Sequence, residues 1–487
     1  MVARLSISRV VSRLADADPD RVVLVTAEET LTARELDRRS NRYARHLLAH
    51  GVARDDLVTV SLPNGAAMVV VCVAIWKAGA TPQPVAPGRT PRELAAVVRV
   101  ARPAVTVGCA VEGVPALGTE PGDDLDDGPL PDAWARAWKA PTSSGSTGAP
   151  KVVVAAAPAL LDPDVPVAAF LPLTATQLVS GPLTHSATFT YAFRGLLTGH
   201  RLVVLPRFDA RAWLDAVERH GVTWAMLVPT TMHRLLRLPA AERDVRRLAS
   251  LQSVLHLGSP CAPDLKERFL DWLGPERVVE VYAGSESNGL TMIRGDEWLR
   301  HRGSVGRPVG GTQVRVLRDD GTPARPGETG LVWLRRGDSP TYRYLGAPGR
   351  RTADGWDTLG DLGHVDADGY LWITDRDDDV VVRGGERVHP VEVERVLERH
   401  PAVRSVAAYG VPDDEYGQHV EAVADVGAAD VDGATLRAFA AAHLDAPRRP
   451  TVVHVVRVPV RDDAGKARRR DLAARGPAAL GATGGAA

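Results

Sequence analysis

The sequence predicts an α/β protein: a large N-terminal domain of parallel-rich sheets with helices and a small β-subdomain, followed by a small mobile α+β C-terminal domain. Strand-like apolar runs alternate with helical patterns through most of the chain, which is typical of a parallel sheet covered by helices. Beyond Gly306 the pattern changes to short strands separated by turns. A charge-dense stretch at 374–390 then precedes a last helix-and-strand module.

The first elements follow from periodicity. Apolar residues recur at helical spacing over 31–52, with Thr32 as N-cap and Gly51 at the end, so this segment is predicted as an amphipathic helix. The acidic, breaker-rich segment 121–132 is predicted as a surface loop. The elements between these two are predicted as a strand at 57–62, an apolar helix at 65–78, a strand at 80–85, a helix at 91–102 and a strand at 104–107.

The alternation resumes after the loop. The predicted elements are a strand at 201–206, a helix at 210–222, a strand at 224–230, a helix around 233–237 and a strand at 253–260. The segment 312–336 is predicted as a β-hairpin with "DDG" at its turn. At 487 residues the chain exceeds what one core usually supports. The predicted domains are 1–375 and 376–475, with a disordered Gly/Ala-rich tail at 476–487.

Composition excludes several classes of function. The formal net charge is −1 and aromatic residues make up 5%, so no pull toward nucleic acid or an anionic membrane is expected. The longest apolar stretch, 66–76, is too short to span a bilayer, and the N-terminus has no apolar export segment. Cys72, Cys109 and Cys261 show neither disulfide nor metal-ligand spacing. A cytoplasmic protein is expected.

A polar loop stands out before an apolar β-branched run, in the stretch "TSSGSTGAPKVVV" at 142–154. Its small residues offer backbone amides and hydroxyls, and Lys151 adds a cation, which together suit polyphosphate. The pattern differs from the standard P-loop because Ala149 and Pro150 precede the lysine and Val152 follows it, so the usual magnesium-binding hydroxyl is absent. The alternative for the loop taken alone is a flexible surface turn.

Four further polar motifs follow. They are "VYAGSESNGLT" with Glu286 after a strand-like run, "WDTLGDLG" with Asp361, "TDRDDD" with Arg376, and "RDDAGKARRR" with Lys466. Open α/β sheets bind ligands at the carboxyl ends of strands, where Glu286 would lie. Taken singly, the carboxylates could be caps or surface groups, and Lys466 could be one solvated cation in a basic run.

In this order the five motifs resemble the adenylate-forming superfamily of acyl-CoA synthetases, nonribosomal-peptide adenylation domains and luciferases. The resemblance covers the chain from about residue 27 to 472. Within the superfamily the chain most resembles the bile-acid and related acid–CoA ligases, through the segments "IWKAGATPQPV", "PLTHS", "EWLRHRGSVGRP", "TYRYLGA" and "WDTLGDLG".

For the nucleotide, the resemblance implies several sets of ligands. The pyrophosphate end of ATP would be held by Ser143, Ser144, Gly145, Ser146, Thr147, Gly148 and Lys151. The adenine would be enclosed by Gly258, Ser259, Pro260 and Tyr282, with Ala283 beside them. Asp361 and Arg376 would bind the ribose hydroxyls, Glu286 would hold Mg²⁺, and Ser285 would lie near the α-phosphate, where the family usually has threonine.

The resemblance also implies roles in the small domain and the acyl passage. Asp378 matches the hinge between the domains, and Lys466 matches the lysine that enters the site during adenylation. Gly384 and Gly385 match the loop that approaches the thiol of coenzyme A, although they could form a plain turn. His185 in "PLTHS" matches a position that lines the acyl and pantetheine passage; its alternatives are proton transfer and a satisfied core histidine.

The implied function is an ATP-dependent carboxylic acid–CoA ligase that forms an acyl-adenylate, releasing pyrophosphate and then AMP. Its cofactors would be ATP, Mg²⁺ and coenzyme A, and its partners a small-molecule acid and a thiol or amine acceptor. Some residues depart from the family: Ala283 replaces a glycine and narrows the acyl pocket, and Thr184, Ser186, Arg387 and His389 replace other usual residues. The alternatives are therefore an amide synthetase, a carrier-protein-loading enzyme, a nitrite-activating diazotase, and, from another class, a silent nucleotide-binding homologue. Oligomeric state is not indicated.

Overall fold

The computed structural model describes residues 4–122, 124–144, 150–462 and 465–481. Its helices are α1 Ile7–Ala17, α2 Ala33–Ala49, α3 Ala66–Lys77, α4 Pro91–Ala101, α5 Ser186–Thr198, α6 Ala210–His220, α7 Pro229–Leu236, α8 Pro263–Leu273, α9 Gly295–Trp298, α10 Pro390–Glu398, α11 Gly433–Ala441, α12 Arg469–Arg475 and α13 Ala478–Gly481. Short 3₁₀ helices cover Val245–Leu248, Pro275–Arg277, Asp377–Asp379 and Ala446–Arg448.

The strands of the N-terminal part are β1 Leu5–Ser6, β2 Val22–Val25, β3 Thr30–Thr32, β4 Leu57–Val60, β5 Thr81–Pro84, β6 Val105–Val107, β7 Ala116–Leu117, β8 Thr142–Ser144, β9 Pro150–Ala155, β10 Leu160–Leu161, β11 Thr176–Val179, β12 Arg201–Val204, β13 Trp224–Leu227, β14 Ser253–His256, β15 Val278–Ala283, β16 Leu290–Arg294 and β17 Arg307–Pro308. Those that follow are β18 Thr312–Leu317, β19 Gly330–Arg336, β20 Tyr342–Leu345, β21 Asp361–Val365, β22 Leu371–Arg376, β23 Val381–Arg383, β24 Glu386–Val388, β25 Ser405–Asp413, β26 Gly417–Asp425 and β27 Val452–Val456. The helices and strands predicted over 31–107 and 201–256 are confirmed.

Local chemistry explains where several helices begin. Thr32 caps α2 and Thr90 caps α4, each in a capping box with a glutamate three residues later. In contrast, α3 is buried on nearly all sides, which explains its continuous apolar sequence. Its last residue, Lys77, is buried with its ammonium 2.7 Å from Asp37 Oδ1.

The main sheet has nine strands among the described residues, in the order β17-β16-β15-β14-β13-β11-β12-β2-β3. The strands from β15 to β2 along this order pair in parallel, and β3 and β16 pair antiparallel at the sides. The chain passes from β11 to β12 on one side and returns to β13 on the other, so the strand order reverses at β11. Open α/β sheets bind ligands at such a reversal, beyond the carboxyl ends of the strands.

Four smaller sheets complete the described N-terminal part, among them the three-stranded β20-β9-β8 and the two-stranded β1-β10. The strands β5-β4-β6-β7 form a parallel sheet, and β18-β19-β21-β22 form an antiparallel one. The pairing predicted for 312–336 is confirmed, and "DDG" forms a tight turn beside which Leu317 bridges Pro323, but this turn is not the whole connection between β18 and β19. Leu317 pairs with Leu331, so residues 318–329 connect the strands, and Gly321 closes a separate turn on Arg318 within that connection. The reason is that 323–329 add a second set of turn residues, "PARPGET", which periodicity alone does not separate from strand.

The C-terminal part has its own core, in which Val393, Leu397, Val406 and Val420 are fully buried between α10 and the β25-β26-β27 sheet. The boundary at 375/376 and the mobility of this part remain predictions. The tail predicted to be disordered from residue 476 is ordered as α13 up to Gly481, because Ala479 is buried against Tyr409 and Leu472. Residues 482–487 lie outside the described residues.

Ion pairs join the C-terminal part to the rest of the protein. They are Arg468–Glu93 at 3.1 Å, Arg399–Asp264 at 3.7 Å, Arg387–Asp319 at 3.6 Å and Arg350–Asp378 at 3.7 Å. Every side chain in these pairs keeps about a third or more of its surface accessible. Each pair therefore contributes on the order of 1 kcal/mol or less. Within the described ranges, every helix is too short or too polar to cross a membrane.

Candidate active site

A cavity of about 1350 Å³ lies beyond the carboxyl ends of the parallel strands and extends to the C-terminal part. Residues from both parts line it, among them Ser180 and Gly181 after β11 and Lys466 before α12. The sequence-predicted residues that the structure brings together here are Lys151, His185, Gly258, Ser259, Pro260, Tyr282, Ala283, Ser285, Glu286, Asp361, Arg376, Asp378 and Lys466. Motifs separated by more than 300 residues in sequence thus meet at one cavity.

Two groups of predicted site residues are not among the residues that the structure shows lining the cavity. Gly384 and Gly385 form the turn between β23 and β24, both with positive φ, and they do not line the cavity. Such a turn needs two left-handed residues, which glycine supplies without strain. Ser143 and Ser144 belong to β8, whose backbone pairs with β9. Gly145, Ser146, Thr147 and Gly148 lie outside the described residues.

Lys151, Glu286 and Tyr344 form one hydrogen-bonded group. The Tyr344 hydroxyl donates to Glu286 Oε1 at 2.6 Å and accepts from Lys151 Nζ at 2.9 Å, while Lys151 Nζ lies 3.6 Å from the same carboxylate oxygen. Burial lowers the pKa of Lys151, and the nearby Glu286 carboxylate opposes this shift. Burial and the same carboxylate raise the pKa of Tyr344. Tyr344 therefore stays a neutral donor that orients both charged groups.

A second group lies on the neighbouring antiparallel sheet. Asp361 and Arg376 are cross-strand partners on β21 and β22, with Arg376 Nε 3.3 Å from Asp361 Oδ1. The Tyr282 hydroxyl donates to Asp361 Oδ2 at 2.6 Å. The Asp361 carboxylate raises the pKa of Arg376, and burial followed by the same carboxylate raises that of Tyr282. Each carboxylate oxygen keeps a second lone pair that could accept from a diol.

Lys466 reaches the cavity from a loop that Gly465 brings close to the large domain. A Cβ at Gly465 would lie 2.9 Å from Thr230 Oγ1 and 3.0 Å from Ser259 Oγ, and φ there is +76°. Lys466 keeps solvent-exposed surface, yet its ammonium is enclosed enough for desolvation to lower its pKa, with Arg376 adding cationic repulsion. An arriving anion would relieve both effects.

Buried charges anchor both ends of the Lys466 loop. Arg461 Nη2 donates to Glu394 Oε2 at 2.6 Å, and Arg461 Nη1 donates to the Gly465 carbonyl at 3.1 Å. Arg469 donates to both Glu394 oxygens at 2.9 Å and to Asp379 at 2.7 Å. These arginines hold the pKa of the buried Glu394 carboxyl below its usual range, against the opposing effect of burial.

Asp378 and His185 occupy positions compatible with their predicted roles. Asp378 lies in a 3₁₀ turn between arginines of both parts, with Arg350 and Arg470 each 3.7 Å away. His185 is the residue before α5, and its backbone carbonyl accepts from Phe189 N at 2.8 Å. A hinge at Asp378 and proton transfer by His185 remain predictions.

The sequence analysis missed three residues that line the cavity. Tyr344 lies in the quoted segment "TYRYLGA", but its bond to Glu286 depends on the pairing of β20 with β9. Lys139 and Arg194 were not considered, because nothing in their sequence neighbourhood indicates that they face a cavity. Lys139, which directly follows "AWARAW", could have been singled out only if its burial were known.

Comparisons with known proteins agree with this geometry. The family model of the AMP-binding enzyme matches residues 11–345, and the model of the AMP-binding enzyme C-terminal domain matches residues 392–466. The chain is 31% identical to 4-coumarate–CoA ligase-like 9 of Oryza sativa subsp. japonica, over 94% of this chain and 90% of that protein. It is 32% identical to feruloyl-CoA synthase of Amycolatopsis sp over 84% and 87% of the two chains.

A solved structure is similar over nearly its whole length. The amide bond synthetase McbA from Marinactinospora thermotolerans is 26% identical, with a TM-score of 0.78 over 96% of this chain and 99% of that one. The fold and the cavity together define an adenylate-forming ligase, and the protein is an enzyme of that class. In particular, the chain belongs to the AMP-binding enzyme family, as the resemblance predicted.

Proposed function

We propose that the protein is an ATP-dependent carboxylic acid–CoA ligase that works through an acyl-adenylate. The observation that carries the proposal is that Lys466 lines the same cavity as the Lys151–Glu286 pair and the Asp361–Arg376 pair. Lys466 would serve the attacking carboxylate, Lys151 and Glu286 the triphosphate with its magnesium, and Asp361 and Arg376 the ribose. The similarity to CoA ligases over most of the chain supports the choice of acceptor.

The residues present fit a magnesium–nucleotide complex. Magnesium is usually held by one or two carboxylates together with substrate phosphates and water. Glu286 is such a carboxylate, and Tyr344 fixes its orientation through a single oxygen. Among the described residues no group of three or more histidines, cysteines or carboxylates could hold a metal by itself, so the phosphates would supply the remaining ligands. When bound, Mg²⁺ would neutralise charge on the leaving pyrophosphate.

In the first half-reaction the acid carboxylate attacks the α-phosphorus of ATP, the new C–O–P linkage forms, and the bond to pyrophosphate breaks. The barrier is largely electrostatic because an anion approaches a polyanion. Lys466 would hold the incoming carboxylate in line, and Lys151 would stabilise the departing phosphates. Asp361 would fix the ribose by accepting from its hydroxyls.

In the second half-reaction the thiol of coenzyme A attacks the acyl carbonyl, the thioester forms, and AMP leaves. Gly384 and Gly385 lie away from the cavity in the present arrangement. A rotation of the C-terminal part about Asp378 would withdraw Lys466 and bring this turn to the acyl carbonyl. We infer that the two steps use different arrangements of the same chain.

A second candidate is an amide synthetase, in which an amine attacks the adenylate. It is favoured by the similarity to McbA over nearly the whole chain. The residues that would meet the acceptor, including Arg387 and His389 after the glycine pair, also depart from the usual family pattern. Both candidates share the first half-reaction.

The test measures ATP–pyrophosphate exchange with a panel of carboxylic acids and nitrite, and then product formation with coenzyme A or amines. We expect exchange that depends on a carboxylic acid and a thioester product with coenzyme A. Lys466→Ala should lower exchange by about two or more powers of ten, and should affect thioester formation from preformed acyl-adenylate much less. Exchange with nitrite alone would contradict the CoA-ligase proposal and favour a nitrite-activating enzyme. An amide as the sole product would contradict it and favour an amide synthetase.

A further inference from the structure

One face of α5 presents a polar row to the cavity. Ser186, Thr190 and Arg194 are spaced four residues apart, so they project from the same side of the helix, and all three line the cavity. At 1.5 Å per residue the row extends about 12 Å from the end of α5 next to His185. The cavity thus has a polar stripe leading away from that end.

Lys139 lies against the first two residues of this row. Its ammonium donates to Ser186 Oγ at 2.9 Å and to Thr190 Oγ1 at 2.8 Å, and the residue is only 3% exposed. Among the described residues no carboxylate oxygen lies within 4 Å of this ammonium. Two hydroxyls satisfy hydrogen bonds but do not neutralise the charge, so a buried cation is left without its counter-ion.

Arg194 continues the cationic surface. Its guanidinium stacks 4.1 Å from the centroid of Trp138, and Lys139 Nζ lies 5.2 Å from a ring centroid of the same tryptophan. In the described part of the chain Arg194 also has no carboxylate oxygen within 4 Å, and Asp162 on the same wall is beyond that distance from both cations. Burial, followed by the charge of Arg194, lowers the pKa of Lys139 to about 7.

The other two lysines that are almost fully buried among the described residues are each paired with a carboxylate. Lys77 contacts Asp37, Lys266 contacts Glu280, and Arg461 contacts Glu394. Lys139 is therefore the exception among the buried lysines of the described residues. Lys139 and Arg194 instead line the cavity, whose wall also includes the apolar Leu161, Val165 and Phe170.

We propose that the acid substrate carries a second anionic group, a carboxylate or sulfonate separated from the reacting carboxylate by an apolar spacer, and that Lys139 and Arg194 bind this group. The inference rests on the proposed function, since it assigns the substrate of that same cavity. The reacting carboxylate is then left for Lys466. The second charge supplies the counter-ion that the fold withholds from Lys139.

The test uses two matched series of acids, one with a six-carbon chain and one with a benzene ring. Each series carries a methyl, carboxamide, carboxylate or sulfonate at the far position. For each acid, kcat/KM is measured by pyrophosphate release, and binding without turnover is measured by the shift in Tm. The variants are Lys139→Met, Lys139→Gln and Arg194→Gln, with the 89% exposed Arg246→Gln as control; melting curves establish that each variant folds.

We expect the anionic members to exceed the neutral members at least tenfold in kcat/KM, and this ratio to fall toward one in the Lys139 and Arg194 variants but not in Arg246→Gln. Equal or better use of neutral acids would overturn the inference while leaving the proposed function intact. So would variants that raise the KM for coenzyme A without changing the ratio. If anionic acids raise Tm through Lys139 but no acid releases pyrophosphate, the anion site stands and the proposed function fails.

Discussion

Arg469 donates to both carboxylate oxygens of Glu394 at 2.9 Å, and this buried contact fixes the start of α12 three residues after Lys466. Glu394 binds Arg461 on the other side of the loop as well. One carboxylate on α10 therefore determines the path of the segment that carries the lysine. The side chains of Arg461, Arg469 and Glu394 are 12%, 16% and 4% exposed, so solvent screens both ion pairs little.

Glu394→Gln should lower the rate of adenylation about ten- to a hundredfold, because a misplaced cation loses alignment with the attacking carboxylate. It should also lower the free energy of unfolding by about 3 kcal/mol, since the mostly buried Arg461 loses its carboxylate partner and Arg469 keeps only Asp379. Pyrophosphate exchange and urea denaturation measure the two effects. The control is Glu392→Gln. Glu392 lies on α10 like Glu394, but its ion pair with Arg448 is partly exposed to solvent. Equal losses in both variants would contradict a role for Glu394 in positioning Lys466.

Gly465→Ala should slow adenylation about tenfold or more and affect thioester formation from preformed acyl-adenylate less. The new Cβ would collide with Thr230 and Ser259, and the positive φ adds roughly 1–2 kcal/mol of strain. Gly321→Ala has a similar φ of +79° with nothing within 4 Å, and it controls for the strain. If both variants slowed adenylation equally, the close approach of this loop would not matter.

Tyr344→Phe should lower kcat/KM for magnesium–ATP about tenfold or more, because a charge-assisted hydrogen bond to Glu286 is lost. The defect should be largest when Mg²⁺ is scarce, since the carboxylate that would hold the ion is no longer oriented. Initial rates over a magnesium titration measure this. Tyr370→Phe removes a 2.5 Å bond to Glu297 away from the cavity and should leave the titration unchanged. A magnesium-independent defect would argue against this role.

Lys139→Met should raise the free energy of unfolding by about 1–2 kcal/mol, because it removes a buried charge that lacks a counter-ion. In the folded protein the pKa of Lys139 is about 7, against 10.5 for an ordinary lysine. Below about pH 7 the folded state carries the whole charge, so the penalty is complete. Between pH 7 and 10.5 the lysine must lose a proton on folding, and the free-energy cost of this loss falls as the pH rises. The gain in stability from the methionine should therefore fade.

The groups that face Lys139 are Ser186, Thr190 and Arg194 from α5, with Glu286 acting at longer range. Burial, followed by the charge of Arg4, lowers the pKa of Arg194 to about 10, so Arg194 keeps most of its charge between pH 6.5 and 9.5 and the change in stability mainly reports Lys139. Denaturation midpoints at pH 6.5 and 9.5 measure it. Lys77→Met is the matched control, and it should lower stability at both pH values because Asp37 loses its partner. A gain for Lys139→Met that did not depend on pH would contradict the account.

Much of the fold could be predicted because burial leaves a regular pattern. The helix from Ala33 shows its apolar stripe and its threonine cap, and α3 shows an unbroken apolar run. The connection between β18 and β19 could not be predicted, since two successive turns look like one turn with flanking strands. The order at α13 was missed because the alanines of the tail pack on a surface that only the folded chain presents.

For the site, the motif residues from Lys151 to Lys466, apart from Gly384 and Gly385, could be assigned to one cavity from sequence because each stands in a recognisable pattern. Lys139, Arg194 and Tyr344 could not, since what distinguishes them is a neighbour far away in the chain. Trp138 would look like an ordinary core residue, and only the structure shows two cations at its ring. The departures at Thr184 and Ser186 indicated an unusual acyl pocket without indicating its charge.

The four ion pairs described above between the C-terminal part and the rest of the protein, such as Arg468–Glu93, are open to solvent. At physiological ionic strength the Debye length is about 8 Å, and added salt weakens such pairs first. Buffer composition should therefore act on this enzyme as an effector would. Concentrated salt should loosen the docked arrangement and dilute salt should favour it, so the two half-reactions should be assayed at the same ionic strength.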